Sequence, residues 1–393
     1  MTPMVALLLV QGSVAPPTSV TVPMILEGNA PMVEVQFPTL KGGVRKARFL
    51  VDSGGGAFIL CSKLIADVGA KASGPAEKED GESYVNLEPV TAKLGKMPLN
   101  FEGVPILGKP DSEWLLTRNH AEGLIPARML RHYCVIFDYV KRTFTLDSSG
   151  TRKHIGTPIP TPISRRTGYP RLEFVVDNKT YGALLDTGAS FTMMSRKVLD
   201  TWAAQNPTWP NSTGATGFAN MFGGPMEKDL LLLRVPSLKL GDADIKSAVA
   251  CSRPEGTFEK WMSRMMTQPI VGSIAGNVLL DFRVEIDFAN GVTYFRRDRV
   301  SSDADQNSVG LVMTVGKSGD LVVSGLSSSA ADDVKSSVNV GDALVAVNGV
   351  NQTGRPLAQV AESLHGGVGR TKRLRLRRGD KTLDVVVTVK RLL

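Results

Sequence analysis

Asp52-Ser53-Gly54-Gly55, inside the stretch FLVDSGGGAFIL at 49–60, carries two residue types able to do chemistry. If Ser53 is the nucleophile, it needs a His base and a buried Asp within reach. If Asp52 is the working group, it needs a second carboxylate close enough to share one proton. The sequence separates these chemistries. No His precedes Ser53, and the first is His120. His120, His132, His154 and His365 stand in no triad-like context. A second Asp does stand in a matching setting. ALLDTGASFTMMSRKVL at 183–199 aligns with FLVDSGGGAFILCSKLI at 49–65, which sets Asp186 against Asp52 and Thr187 against Ser53. The hydroxyl residue changes between copies while the Asp and the following Gly do not, as expected if the Asp does the work.

The repeat extends downstream. EGLIPARMLRHYCVIFDYVKRTFTL at 122–146 aligns with VGSIAGNVLLDFRVEIDFANGVTYF at 271–295, pairing Gly123 with Gly272, Asp138 with Asp287 and Tyr139 with Phe288. The Asp loops lie 134 positions apart, and these later motifs 149 apart (Asp138 to Asp287). The second copy therefore holds about 15 extra residues between its motifs. The Trp-, Asn- and Pro-rich stretch TWAAQNPTWPNSTGATG at 201–217 is expected to carry them as a surface loop. Trp202 and Trp209 there serve either to line a cleft or to anchor the loop. Strand and hairpin patterns fill the rest of each copy, with Gly95 beside Gly241 at corresponding turns.

Doubling the motif suits a shared-proton pair. Two related loops meeting at a twofold axis bring two carboxylates together with little further invention. One ionised Asp then acts as base on a water, and its protonated partner polarises a carbonyl. Ser53 and Thr187 bond across to the partner loop, while Gly54 and Gly188 allow a tight backbone with amide donors turned to the carboxylates.

These units resemble the retropepsin-like and pepsin-like aspartic proteases. Leu184–Ser190, LLDTGAS, is similar to that family's Asp-Thr-Gly-Ala-Ser loop, and IAGNVLL at 274–280 to the apolar-apolar-Gly element behind it. The resemblance implies a mainly β, bilobal fold with a cleft between lobes, Asp52 and Asp186 as catalytic dyad, and polypeptide substrates. No metal and no cofactor is expected. The first copy departs in two places. Gly55-Gly56 replaces a small-plus-hydroxyl pair, and LIPA at 124–127 lacks the Gly that Gly276 supplies in the second copy. Gly55 and Ala189 also offer no hydroxyl to an ionised carboxylate. Activity is therefore expected to extend to weakly acidic or near-neutral pH, since hydrogen bonds to the charged form lower a pKa. A flap is expected at EDGESYVNL, 79–87, with an Asp80-Gly81 turn and Tyr84 placed over the dyad, and its counterpart at GFANMFGG, 217–224.

After a break at 299–307, residues 308–393 resemble a bacterial PDZ domain, α+β in class. The resemblance rests on SVGLVM, on VGDALVAVNG and on the helix-forming PLAQVAESLHG at 356–366. It implies that Val309, Gly310, Leu311 and Val312 bind peptides or partner C-termini by strand addition. The expected organisation is a signal-like N-terminus at 1–27, lobes at 28–148 and 164–298, linkers at 149–163 and 299–307, and the PDZ domain at 308–393. The apolar run Val5–Val10 followed by Ser13 and Ala15 is signal-like and points to a secreted or periplasmic protein.

Composition narrows the partners. With 42% hydrophobic and 21% charged residues, the chain suits packed domains. A net charge of +8 is mild for 393 residues. The one basic run, RTKRLRLRRGDK at 370–381, alternates with apolar residues and carries no aromatics, so nucleic acid is not an expected partner. No apolar run is long enough for a membrane span. Three scattered cysteines, Cys61, Cys134 and Cys251, make no C-x-x-C. The rival reading is a non-catalytic peptide-binding protein that keeps the fold.

Overall fold

The computed structural model describes residues 17–79, 82–110, 121–220, 229–300, 306–316 and 318–393. The apolar run of the signal-like N-terminus lies outside these residues. The protein is mainly β, with 47% strand and 15% helix. No described helix is long and apolar enough to cross a membrane.

The first unit comprises β1 (Ser19–Pro23), β2 (Ile25–Glu27), β3 (Ala30–Pro38), β4 (Val44–Asp52), β5 (Phe58–Cys61), α1 (Ser62–Val68), β6 (Ala72–Glu79) and β7 (Glu82–Leu87). It continues through β8 (Lys93–Leu94), β9 (Met97–Pro98), β10 (Ile106–Lys109), β11 (Gly123–Pro126), α2 (Ala127–Leu130), β12 (Cys134–Asp138) and β13 (Thr143–Asp147). The boundary expected at residue 28 needs correction. Residues 19–27, grouped by sequence with the signal-like segment, are β1 and β2, paired with β13 and β3. Polar alternation in SVTVP concealed an edge strand with one half-buried face.

The second unit comprises β14 (Thr157–Pro160), β15 (Arg171–Val176), β16 (Lys179–Leu185), β17 (Met193–Ser195), α3 (Arg196–Gln205) and β18 (Asn211–Thr213). It closes with β19 (Leu231–Leu240), β20 (Ala243–Arg253), β21 (Gly272–Ile274), α4 (Gly276–Leu279), β22 (Phe282–Asp287) and β23 (Val292–Arg297). The expected linker 149–163 thus contributes β14, which pairs with β23. The expected loop at 201–217 begins as the end of α3, which has ten residues against seven in α1. Trp202 on α3 is buried against Phe174 and Tyr181, with its indole N–H donating to the Tyr181 hydroxyl at 3.0 Å. It anchors that helix and lines no cleft.

In each unit the strand that ends at the Asp loop pairs in parallel with a later strand, and that strand turns back antiparallel onto the strand after the loop. In the first unit β4 pairs with β11 and β11 with β5. In the second β16 pairs with β21 and β21 with β17. This threading needs a short strand squeezed between two others, and buried apolar side chains such as Leu50, Val51, Leu124 and Ile125 fill its faces. The units join through a six-stranded sheet ordered β1-β13-β12-β22-β23-β14. At its centre β12 and β22 run antiparallel with Ile136 opposite Glu285, Cys134 opposite Asp287 and Asp138 opposite Arg283. The repeat sets Ile136 against Glu285, so the pseudo-twofold axis passes between these two strands. One core cluster runs through both units, from Met24 to Phe295.

The third unit has β24 (Asn307–Ser308), β25 (Leu311–Val315), β26 (Leu321–Leu326), α5 (Asp332–Ser337), β27 (Ala343–Val347) and β28 (Val350–Asn351). It ends with α6 (Leu357–Leu364), β29 (Thr371–Arg378), β30 (Lys381–Thr388) and β31 (Lys390–Arg391). Its main sheet runs β25-β26-β27-β29-β30, so β25 is an edge. Val360 and Leu364 of α6 pack with Leu374 and Leu376 of β29 in a separate core. Arginines beside those leucines are paired, Arg375 with Asp384, Arg377 with Asp320 and Arg378 with Asp342.

Candidate active site

Asp52 ends β4 and Asp186 follows β16, so two strands of one design deliver the two carboxylates to a common cleft of about 200 Å³. Four reciprocal hydrogen bonds hold the loops together. The Ser53 amide donates to Thr187 Oγ1 at 3.1 Å, and the Thr187 amide to Ser53 Oγ at 3.0 Å. Each hydroxyl then donates onward, Ser53 Oγ to the Leu185 carbonyl at 2.5 Å and Thr187 Oγ1 to the Val51 carbonyl at 2.9 Å. Both side chains are fully buried. Buried backbone groups need partners, and here each loop can satisfy its own only through the other.

The loop glycines fix how close the carboxylates come. A Cβ built on Gly188 would stand 2.7 Å from Asp52 Oδ2, and closer still to its Cγ. One on Gly54 would stand 3.1 Å from Asp186 Oδ1. Each carboxylate therefore lies against the glycine of the partner loop. Backbone amides hold their orientation. Gly54 N donates to Asp52 Oδ1 at 2.7 Å, and Ala189 N to Asp186 Oδ1 at 3.0 Å.

The two departures in the first copy have physical causes. A Cβ at Gly55 would meet Leu124 Cδ2 at 2.7 Å, so glycine there makes room for the β11 core. The missing supporting glycine is exchanged across the units. Ala127 N donates to the Gly55 carbonyl at 3.0 Å, and Gly276 N makes the same bond to Ala189 at 3.0 Å. Ala127 faces Gly168, whose built Cβ would come within 3.0 Å of the Ala127 carbonyl. Gly276 faces Asn29, where a built Cβ would come within 2.8 Å of the Asn29 Cβ and closer to its carbonyl. Each contact admits one side chain, on one wall or the other.

Two residues outside the Asp motifs, Tyr169 and Tyr139, flank the dyad. Tyr169 is buried beside it. Burial pushes its hydroxyl up to about 12, with the charges of Asp52 and Asp186 adding to the effect. It follows Gly168 as Asn29 follows Gly28, and the two play matching parts. Asn29 Nδ2 donates to the Ser190 carbonyl, while the Tyr169 hydroxyl lies 3.5 Å from a Cβ built on Gly56, the position matching Ser190. Tyr139 is buried with no hydrogen-bond partner for its hydroxyl among the described residues. Burial, and then the charge of Asp186, raises its pKa. Neither residue belongs to the Asp motif, and only the three-dimensional crossing of the units brings them in.

Other expected site residues lie elsewhere. Tyr84 sits on the β6–β7 hairpin and donates to Glu77 Oε2 at 2.9 Å, so it points along the hairpin and not to the cleft. The hairpin's Asp80-Gly81 turn lies outside the described residues. At the counterpart, the 3-10 turn Gly217–Ala219 does reach the cleft, where Phe218 and Asn220 form part of its wall. Residues 221–224 lie outside the described residues. In the third unit Val309, Leu311 and Val312 are buried, and Gly310 has φ +85°. The Val309 amide donates to the Leu364 carbonyl and the Gly310 amide to Ser308 Oγ. These two amides are engaged within the unit.

Cys61 and Cys251 are buried and Cys134 is half-buried. Cys134, His154 and Glu285 bring ligand-type atoms within 4.8 Å of one another on the inter-unit sheet. The Glu285 carboxylate is already matched by Arg283 at 2.6 Å and His154 at 2.6 Å, with Arg152 at 3.6 Å. Burial, and then the nearby Glu285 and Asp287, raises the Cys134 thiol, which makes it a poor ligand. The group forms an ion network tying residues 152–154 to β22. His154 also stacks on Tyr294 with centroids 4.3 Å apart.

No protein-family model matches the chain, and no curated protein does.

Proposed function

We propose that the protein is an aspartic endopeptidase of bilobal, retropepsin- and pepsin-like design, with Asp52 and Asp186 as its dyad and a C-terminal PDZ-like unit that binds peptides. The observation that carries this reading is the reciprocal Ser53–Thr187 bonding, with each carboxylate set against the partner loop's glycine. Two carboxylates so placed cannot both ionise cheaply, so they hold one proton between them. The ionised member takes a proton from a water whose oxygen attacks the peptide carbonyl carbon. The protonated member donates to the carbonyl oxygen, giving a neutral tetrahedral diol. Collapse breaks the C–N bond as the Asp that took the water proton passes it to the leaving nitrogen and a diol hydroxyl gives its proton to the other carboxylate, so that one proton is again shared.

The cleft wall supports a preference for apolar side chains near the scissile bond. Leu50, Phe191, Met193 and Phe218 line it, with Glu27 and Arg253 as charged members beside Asp52 and Asp186. The signal-like N-terminus supports a secreted or periplasmic location. The test is cleavage of a mixed peptide library by purified protein, read by mass spectrometry with and without a pepstatin-like inhibitor. Cleavage that the inhibitor blocks supports the proposal. Cleavage that it leaves untouched, or none from pH 3 to 8, counts against it and favours a non-catalytic peptide-binding protein.

A further inference from the structure

We infer that the groove between β25 and α6 is a peptide site plugged by the chain's own residues 217–220, so that filling the groove and shaping the catalytic cleft are coupled. The consequence for catalysis rests on the peptidase reading, while the binding half stands without it.

The plug has two faces. Toward the third unit, the turn Gly217–Ala219 touches both β25 and α6. Asn220 Nδ2 donates to the Met313 carbonyl at 2.9 Å on the edge strand β25. Phe218 sets its ring edge-on to His365, centroids 5.6 Å apart. Gly217 has φ +56°, and a Cβ there would stand 2.8 Å from His365 Nε2 and 3.9 Å from Ala361 Cβ, so glycine lets the turn lie flat on α6. Toward the cleft, Phe218 and Asn220 stand in one wall with Asp52 and Asp186, joined by Ala358 of α6. One short segment thus belongs to both sites.

The surrounding contact is part apolar and part polar, with Leu393 packed beside Phe218 on the cluster of Phe191, Ala215 and Ala219. Ser212 Oγ lies 2.9 Å from Ser327 Oγ, Thr213 N donates to Ser328 Oγ at 2.9 Å, and Ser328 N donates to the Thr213 carbonyl at 2.8 Å. These polar bonds exchange for water at little net cost, so this part of the docking can open. The plug also defines the chemistry of its replacement. An incoming extended polypeptide would place an amide donor on Met313 O and an apolar or aromatic side chain where Phe218 sits. It would compete with a tethered segment of effective concentration in the mM range. Any ligand that displaces the plug moves Phe218 and Asn220 out of the cleft wall, and substrate in the cleft must bias the groove by the same factor.

The probe is a fluorescein-labelled peptide of residues 211–220, NSTGATGFAN, titrated by anisotropy against full-length protein. Phe218→Gly/Asn220→Gly empties the groove and is expected to bind the peptide at least tenfold more tightly than the parent. Equal affinities for the parent and the emptied protein overturn the inference, as does no binding to the emptied variant. Saturating peptide is also expected to raise the parent's kcat/KM on a long protein substrate. If peptide binds as described but nothing is cleaved, the peptidase reading fails and the groove remains.

Discussion

Gly188→Ala and Gly54→Ala look equivalent in sequence, yet the structure separates them. The methyl group added at Gly188 would stand 2.7 Å from Asp52 Oδ2 and nearer still to Cγ, on a carboxylate held by the 2.7 Å bond from Gly54 N. Ordinary contact is about 3.4 Å or more, so either Asp52 shifts by roughly 1 Å or the loops part. Parting the loops strains the four bonds made by Ser53 and Thr187 across them. Overpacking of this kind costs about 1–3 kcal/mol, and a 1 Å misplacement of a reacting group costs on the order of 100-fold in rate. The methyl at Gly54 would stand 3.1 Å from Asp186 Oδ1, a few tenths of an ångström too tight. Its expected cost is under about 1 kcal/mol and less than about tenfold in kcat/KM. The assay is kcat/KM on a fluorogenic peptide beside urea unfolding for parent and both variants. Equal effects, or a larger loss in Gly54→Ala, would refute the reasoning.

Thr187→Val leaves the Ser53 amide and Val51 carbonyl unpaired in the interior, at about 1–3 kcal/mol each, whereas Thr187→Ser keeps both bonds and should unfold within about 0.5 kcal/mol of the parent in urea. Ala189→Ser adds a hydroxyl beside Asp186. A bond to the ionised carboxylate lowers its pKa, so the acidic limb of the pH–rate profile should move to lower pH; a limb that stays or rises contradicts this. His365 is held down at about 4 from an ordinary 6.5, chiefly by burial and secondarily by Lys372. Between those values the unfolded chain binds a proton that the folded chain does not, so His365 makes stability fall as pH drops from 6.5 toward 4. His365→Phe should show a smaller loss of Tm between pH 7 and pH 5 than the parent.

The Asp loops, their pairing and the repeat were legible because both copies must meet the same geometry, and that repeats as Asp-Ser/Thr-Gly. The axis through Ile136 and Glu285 follows from the same alignment. What the sequence hid depends on contacts between distant segments. Ala127 reads as a defect until Gly168 is found facing it, and Gly55 until Leu124 is seen filling its space. Tyr169 carries no motif and reaches the dyad because its loop crosses from the second unit into the first. The stretch 201–217 was read as loop from its Trp, Asn and Pro content. Ala203, Ala204 and Gln205 near its start are good helix formers that extend α3 up to Asn206-Pro207. Tyr84 was placed over the dyad from the turn signal alone, and a strand register turns it toward Glu77.

The central claim is that Asp52 and Asp186 act as one unit on one water. Single-substitution kinetics test it most directly, with kcat/KM measured for Asp52→Asn, Asp186→Asn and the double variant on the same peptide. Each single variant is predicted to lose at least about 1,000-fold, and the double variant little more than either, because groups that act together are not additive. A single variant that cleaves at the parent's rate would contradict the account.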